Sequence, residues 1–115
     1  MDVRPEAVPR PEWTPVPHAG CVGVEGQVLL RTPTLLLAML RFAPGATIHE
    51  HDAPWEIDVV CLEGSGFVSI DGSSAPLRAG ERIRWPAGHL HRLWTDGDAM
   101  LTLMVEHGPF AATDS

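Results

Sequence analysis

The sequence predicts an all-β, single-domain protein. From residue 20 onward, short apolar runs recur about every eight to twelve residues, with turn-forming residues between them. No stretch combines sustained helical spacing with capping residues, and 115 residues suffice for one apolar core. Short, regularly spaced strands of this kind are typical of a β-sandwich or a closed β-barrel.

The composition limits which binding partners and which cellular compartment we expect. A net charge of −7 opposes binding to nucleic acid phosphates and to anionic membrane surfaces, so we expect neither partner. No apolar run is long enough to span a bilayer, and the N-terminus carries charges and prolines where a signal peptide has an apolar block. Cys21 and Cys61 are unclustered thiols that suit a reducing compartment. We therefore expect a cytoplasmic protein.

Residues 1–19 form a segment of their own. Prolines stand at positions 5, 9, 11, 15 and 17, which rules out a helix or a central strand. We expect an extended arm that lies on the domain or on a neighbour, anchored by Trp13. Residues 20–107 are then the β-barrel, and residues 108–115 are a C-terminal tail.

The strands follow from the apolar runs and the turn residues between them. Pro44-Gly45 and Glu63-Gly64 are expected to end strands, Asp71-Gly72 to form a type I′ hairpin turn, and Asp96-Gly97-Asp98 to form another hairpin. The predicted strands are Cys21–Val24, Gln27–Arg31, Thr34–Ala43, Ala46–His51, Ile57–Leu62, Gly66–Ile70, Arg82–Trp85, His91–Thr95 and Met100–Glu106.

The stretch Gly80–His91 is the most informative part of the chain. Ile83 and Trp85 alternate with two arginines, which gives a strand with one apolar and one polar face. Pro86 and Gly88 then end this strand, because proline cannot continue a ladder and glycine readily adopts a positive φ. A rigid turn therefore holds His91 at the start of the next strand.

The histidines suggest a metal-binding site. His49 and His51 lie two residues apart, and side chains at that spacing in a strand point the same way, about 7 Å apart. His91 could complete their site, with Glu56 or Asp58 adding a carboxylate. Three imidazoles and a carboxylate suit a divalent transition metal such as Fe, Mn, Ni, Cu or Zn. The alternative is that the histidines are solvated at a barrel rim and bind nothing.

These motifs resemble those of the cupin superfamily. The second cupin motif is matched by Gly80, Pro86, Gly88 and His91 at the family spacing, with Thr95 in place of the usual asparagine. The first motif is matched in part, by Gly45, His49, His51, Glu56 and Gly64. The resemblance implies a cupin-type jelly-roll β-barrel of six to eight strands, usually dimeric, with a metal near one mouth.

The first motif allows two registers. Matching by residue type makes His49, His51 and Glu56 ligands together with His91, and requires a bulge near Trp55. Matching by spacing instead places the first ligand at His51, the second at Ala53 and the acid at Ile57, so that two ligands are missing. We favour the first register, because His49 and His51 share a face of a regular strand.

Two classes of function are consistent with this sequence. One is a small metalloenzyme that acts on an organic molecule by dioxygenase-, isomerase- or decarboxylase-like chemistry. The other is a non-catalytic barrel that binds or senses a small molecule, with or without a metal. In both cases the expected partners are a small-molecule ligand at the barrel mouth and a second copy of the chain in a homodimer.

Overall fold

The computed structural model describes residues 2–17 and 19–110, and that part of the chain contains β-strands and no helix. The predicted all-β class is therefore confirmed. The eight strands are β1 (Arg10–Pro15), β2 (Cys21–Arg31), β3 (Leu35–His51), β4 (Glu56–Ile70), β5 (Ser73–Arg78), β6 (Arg82–Trp85), β7 (His91–Trp94) and β8 (Met100–His107).

Two long strands close the barrel. The first half of β3 pairs with β8 from Leu35↔His107 to Phe42↔Met100, and its second half pairs with β7. In the same way, the first half of β4 pairs with β8 and β6, and its second half pairs with β7 and β5. The first halves of β3 and β4 form one sheet with β8, and their second halves form a second sheet with β7, so the strands β3, β7, β4 and β8 make a closed ring of hydrogen-bonded neighbours.

Each long strand bends at a glycine. Gly45 has φ +71° and donates its N–H to the Asp96 carbonyl at 2.7 Å. The buried Thr95 hydroxyl completes this bend, because it accepts the Ala46 N–H at 2.9 Å and donates to the Ala43 carbonyl at 2.6 Å. Thr95 therefore ties β3 to the end of β7, where the family's asparagine would stand.

Gly64 is the bend residue of β4, and it has no room for a side chain. Its φ is +73°, and a Cβ there would lie 2.0 Å from the Ala99 carbonyl oxygen. Gly64→Ala should therefore destabilise the fold by about 2–5 kcal/mol, from the left-handed backbone and the overlap together. Gly72→Ala is the matched control, because Gly72 has φ +83° but open space around it, and it should cost only about 1–2 kcal/mol. Urea unfolding of both variants measures the difference, and equal losses would contradict the argument.

The core lies between the two sheets. It is built from inward-facing side chains of β2 to β8, in keeping with the period of two along each strand. Its largest fully buried members are Trp85, Phe42, Leu93, His91, Val59, Thr102 and Cys61. A histidine in this set is unusual, since a buried imidazole needs partners inside the protein.

Several predicted boundaries need correction. Pro44-Gly45 and Glu63-Gly64 bend strands without ending them, because the neighbouring ladders continue on both sides of each bend. Asp96-Gly97-Asp98 does not join a hairpin, since no pairing joins β7 and β8, which are both described in full. The Asp71-Gly72 turn does form a hairpin, with Ile70 opposite Ser73.

Segments near both ends of the described chain pack on the barrel. Residues Arg10–Pro15 pair with β2, so the sheet begins within the predicted arm, as an edge strand in which prolines are tolerated. The Arg41 guanidinium lies 4.5 Å from the Trp13 ring centre, which confirms Trp13 as an anchor. At the other end, Phe110 N donates to the Pro33 carbonyl at 3.0 Å. Residues 1, 18 and 111–115 lie outside the described part of the chain.

None of the described segments forms a helix of the length and apolarity that crossing a membrane requires.

Candidate functional site

A cavity of about 350 Å³ opens at the end of the barrel that carries the histidines. Its wall is largely apolar, with His51, Asp52 and Glu106 as its acid–base groups. The lining residues are Val16, Cys21, Ala38, Leu40, Ile48, His51, Asp52, Ala53, Pro54, Trp55, Ile57, Trp85, Met104 and Glu106. A larger groove of about 600 Å³ beside Trp13 is shallower and contains no histidine, so we place the site in the smaller cavity.

His51 and His91 meet at the wall of this cavity. They stand opposite each other on β3 and β7, and their Nε2 atoms are 3.3 Å apart. His51 is partly exposed and reaches the cavity, whereas His91 is 1% exposed and lies behind it. The two imidazoles therefore form one unit, with an accessible and a buried member.

The proton of His51 can be assigned from its hydrogen-bond partner, and that of His91 has two possible positions. His51 Nδ1 lies 2.8 Å from the His49 carbonyl, which only accepts, so that nitrogen carries a proton and Nε2 of neutral His51 has a lone pair. His91 then places its proton on Nε2, facing His51, or on Nδ1. Among the described residues, Nδ1 of His91 has no hydrogen-bond partner. The His89 backbone nevertheless lies near enough to favour the protonated form of His91. The second arrangement directs both Nε2 lone pairs to one point.

Trp85 covers the buried member of the pair. Its ring stacks on His91 with the centres 3.9 Å apart and the planes 4° from parallel. Burial, reinforced by the charge of a protonated His51, lowers the pKa of His91 to about 4. His91 therefore remains neutral at physiological pH, and a proton taken up by the pair belongs on His51.

The depressed pKa of His91 makes a prediction about stability. The unfolded chain binds a proton at this histidine below pH 6.5, and the folded protein does so only below about 4. Stability should thus fall by about 3 kcal/mol as the pH drops through that window, since 1.4 kcal/mol corresponds to one unit. Urea unfolding between pH 4 and 7 tests this. His91→Gln should remove most of the slope, and an unchanged slope would contradict the assignment.

The loop before His91 is fixed by hydrogen bonds to two other parts of the barrel. Asp71 N donates to the Leu90 carbonyl at 2.8 Å, and the Asp71 carboxylate accepts the Leu90 N–H at 3.0 Å. Gly88 N donates to the Ala53 carbonyl at 2.8 Å. The hairpin turn and the loop after β3 therefore set the position of His91.

His49 is not part of the pair, and a β-bulge is the reason. Ile48 pairs with Leu93 and His51 with His91, so that His49 and Glu50 together oppose the single residue Arg92. The extra residue lets Ile48 and His51 both face inward, while His49 is exposed and packs against Gly20. This corrects the expectation that His49 and His51 share a face.

Glu56 also lies away from the histidines. It is on the outer face of β4, with its carboxylate 3.6 Å from the Arg84 guanidinium, whereas the next residue, Ile57, faces the cavity. The cavity wall thus contains His51, Ala53 and Ile57, which is the register obtained from spacing. The register that we favoured from residue type does not describe this structure.

Asp58, the other acid considered, is buried on that outer face. Arg84 binds it through two hydrogen bonds of 2.7 and 3.1 Å, and His107 Nε2 lies 2.8 Å from it. The Arg84 guanidinium is the main cause that lowers the pKa of Asp58 to about 2, with His107 and Arg82 contributing further. Asp58 therefore organises β4, β6 and β8 and does not face the cavity.

These donors do not fit a resident transition metal. The 3.3 Å between the two Nε2 atoms matches two imidazoles bound about 2.0–2.1 Å from one tetrahedral ion. However, catalytic zinc has three protein ligands, and Ala53 and Ile57 offer none. No group of three or more His, Cys, Asp or Glu side chains that could hold a metal occurs in residues 2–17 and 19–110. Metal binding by His49, His51, His91 and Glu56 therefore stays a prediction.

Sequence reasoning did not identify Glu106 as a residue of the cavity. Trp55 Nε1 donates to Glu106 Oε1 at 2.8 Å, and both side chains reach the cavity. The period of two in β8 was a signal for Glu106, since Met100, Thr102 and Met104 are its inward-facing predecessors. The pairing with Trp55 joins residues that are 51 apart and had no local signal.

Comparison with known proteins agrees with the fold. The cupin domain family matches residues 38–106. A curated protein, polyketide synthase CurC of Streptomyces cyaneus, is 34% identical over 80 residues, which are 69% of this chain and 51% of that protein. The chain thus spans about half the length of this relative.

Solved structures agree as well. The polyketide cyclase RemF from Streptomyces resistomycificus superposes with a TM-score of 0.78 at 22% identity, over 99% of this chain and 89% of RemF. A cupin-like protein from Thermotoga maritima gives a TM-score of 0.73 at 17% identity, over 92% of this chain and 81% of that one. At these identities the likeness concerns the fold alone.

Proposed function

The chain belongs to the cupin domain family, and from that premise we propose that it binds a small oxygen-bearing aromatic or poly-β-carbonyl molecule and catalyses its cyclisation. The observation that carries the proposal is the His51–His91 pair at the wall of an aromatic-lined cavity. The names of two similar proteins, a polyketide synthase and a polyketide cyclase, support the choice of substrate class.

The cavity suits a flat organic ligand. Trp55 and Trp85 supply aromatic surface, and aliphatic side chains from β3 and β4 supply the remaining apolar wall. Few polar groups reach this surface, and His51 is the imidazole among them, a side chain that can both accept and donate a proton. Such a cavity would orient a planar substrate with one reactive position against His51.

His51 would act as the general base and then as the acid. It accepts a proton from a methylene between two carbonyls, and the resulting enolate carbon attacks another carbonyl of the same molecule. His51 returns the proton to the new alkoxide, and loss of water completes the ring without an oxidant. His91, which remains neutral, places no second positive charge beside the protonated His51.

A model diketone tests this chemistry directly. The wild-type protein should accelerate deuterium exchange at the central methylene of 1-phenyl-1,3-butanedione in D₂O, followed by proton NMR. The effect should saturate with diketone concentration, because the molecule binds in a defined cavity. Exchange at the background rate with the diketone demonstrably bound would overturn the proposed catalysis and leave a binding protein.

We also propose that a second copy of the chain covers the outer face of the sheet that contains β8. The side chains there alternate with the core positions and form an apolar patch on β3, β4 and β8. The patch consists of Leu37, Met39, Val60, Leu101, Leu103 and Val105.

Ion pairs stand at the two ends of this patch. Arg41 and Glu25 form an ion pair of 2.7 Å at one end, and Arg84 and Asp58 form another of 2.7 Å at the other. Because these charges are compensated within one copy, a second copy can cover the patch without leaving an unpaired charge at its ends.

The dimer prediction is tested by sedimentation velocity. Wild type should sediment as a dimer and Leu103→Glu as a monomer, because a charge would be buried at the centre of the interface. Val22→Glu, at a 62% exposed position of β2, is the matched control and should remain dimeric. A monomeric wild type at high concentration would contradict the proposal.

A further inference from the structure

An acid faces the interior of the barrel at Glu106. The preceding inward residues of β8, Met100, Thr102 and Met104, are buried, and Glu106 continues that face to the cavity. An inward-facing carboxylate on an apolar wall is costly unless it has a partner. The proposed proton transfer does not use it.

The position of this carboxylate is fixed. Oε1 accepts the Trp55 indole N–H at 2.8 Å, and the Trp55 ring meets the Phe110 ring edge to face, with the centres 4.8 Å apart. Phe110 is held in turn by its backbone bond to Pro33. In residues 2–17 and 19–110, no hydrogen bond to Oε2 of Glu106 is formed, which leaves that oxygen as an acceptor.

Glu106 stands at the opposite side of the cavity wall from the histidine pair. Ile57 pairs with Glu106 on β8 and with Trp85 on β6, so these three residues form a row across the sheet. Two strand spacings separate the ends of the row by about 10 Å. Because Trp85 stacks on His91, the row runs from the histidine pair to Glu106, a span that a fused two-ring aromatic can cross.

We propose that Glu106 determines ligand specificity: it binds a hydroxyl group at the end of the ligand remote from His51 and rejects carboxylates there. The proposal rests on the proposed function, whose substrate it narrows to uncharged molecules that carry a hydroxyl at the end remote from the 1,3-dicarbonyl unit. Charge supports the same choice, since Asp52 and Glu106 line the cavity and no arginine is among the lining residues. A ligand hydroxyl donates to the carboxylate, whereas a second carboxylate is repelled.

Three naphthalene probes test the assignment by calorimetry. Wild type should bind 2,6-dihydroxynaphthalene about tenfold tighter than 2-naphthol, because a hydrogen bond to a charged group is gained. It should bind naphthalene-2,6-dicarboxylate at least about tenfold more weakly than the diol, because either orientation brings a carboxylate to Glu106. Glu106→Ala should bind the diol and 2-naphthol equally. Glu106→Gln should keep part of the preference for the diol and bind the dicarboxylate more tightly than wild type.

Glu56→Gln is the matched control, because Glu56 lies near the same end of β4 but on the outer face, and it should keep the wild-type ranking. A preference for the diol that survives in Glu106→Ala would overturn the role of Glu106 while leaving the proposed function intact. If none of the three probes binds to wild type, the proposed function itself is overturned.

Discussion

Introducing Ala53→His together with Ile57→Glu is expected to create a divalent metal site in the cavity, with a zinc affinity at least about 100-fold above that of wild type. Both positions face the cavity beside His51, and they are the two motif positions at which this chain has no donor. Structural zinc is bound with about 10–16 kcal/mol over four ligands, so each added ligand contributes about 3 kcal/mol. His51, His91 and the two new side chains would together provide four ligands.

Stability provides a second measure of the same result. A glutamate at the buried position 57 should lower the melting temperature of the metal-free variant, and excess zinc should raise it again, because metal binds the folded state. Adding His91→Ala to the variant should reduce the gain, since it removes one of the four ligands. Neither His49→Ala nor Glu56→Gln should affect it.

The metal content of the wild-type protein is the comparison for this variant. If wild type itself retains one equivalent of Fe, Mn, Ni, Cu or Zn after dialysis, two imidazoles suffice and the original metal prediction stands in part. His51→Ala and His91→Ala would then release the metal, while His49→Ala and Glu56→Gln would not. Elemental analysis of purified protein decides between these outcomes.

His51→Ala is expected to lower the catalysed exchange rate of the diketone by about 10²–10⁴-fold, the usual contribution of a positioned general base. Binding of the diketone should weaken by less than tenfold, because the aromatic walls of the cavity remain. Rates by proton NMR and binding by calorimetry separate the two effects. His51→Gln, which keeps a polar side chain of similar length, should lose the same activity.

His49→Ala is the matched control for this experiment. His49 lies two residues away but outside the cavity, so its loss should leave the rate within about twofold of wild type. Equal losses in His49→Ala and His51→Ala would contradict the site. The urea midpoint of each variant shows whether a lost rate reflects lost folding.

The sequence predicted the position of His91 at the start of a strand correctly and the direction of the His49 side chain wrongly, for a physical reason. Proline and glycine fix the turn before His91, and such local rules are visible in the chain itself. The bulge that turns His49 outward depends on how β3 lies against β7, a strand some 40 residues later. Strand spacing alone therefore could not reveal it, although the motif spacing did point to Ile57.

The ends of the strands also depend on distant segments and could not be predicted from local sequence. Apolar alternation identified the runs within β3 and β4, but Gly45 and Gly64 were interpreted as ends. Whether a glycine ends or bends a strand depends on the neighbouring ladder, which comes from distant segments. The partner of Glu106 was hidden for a related reason, because Trp55 lies beside it only once β4 has paired with β8, a strand from the other half of the chain.

The sharing of β3 and β4 between both sheets also has a kinetic consequence. Their pairings with β7 and β8 join early and late parts of the chain, such as Leu35 with His107, and non-local pairings of this kind slow folding to milliseconds or seconds. His51 and His91 meet only when β3 and β7 have paired. Recovery of catalytic activity during refolding should thus coincide with completion of the whole barrel, and an active fragment that lacks either sheet is not expected.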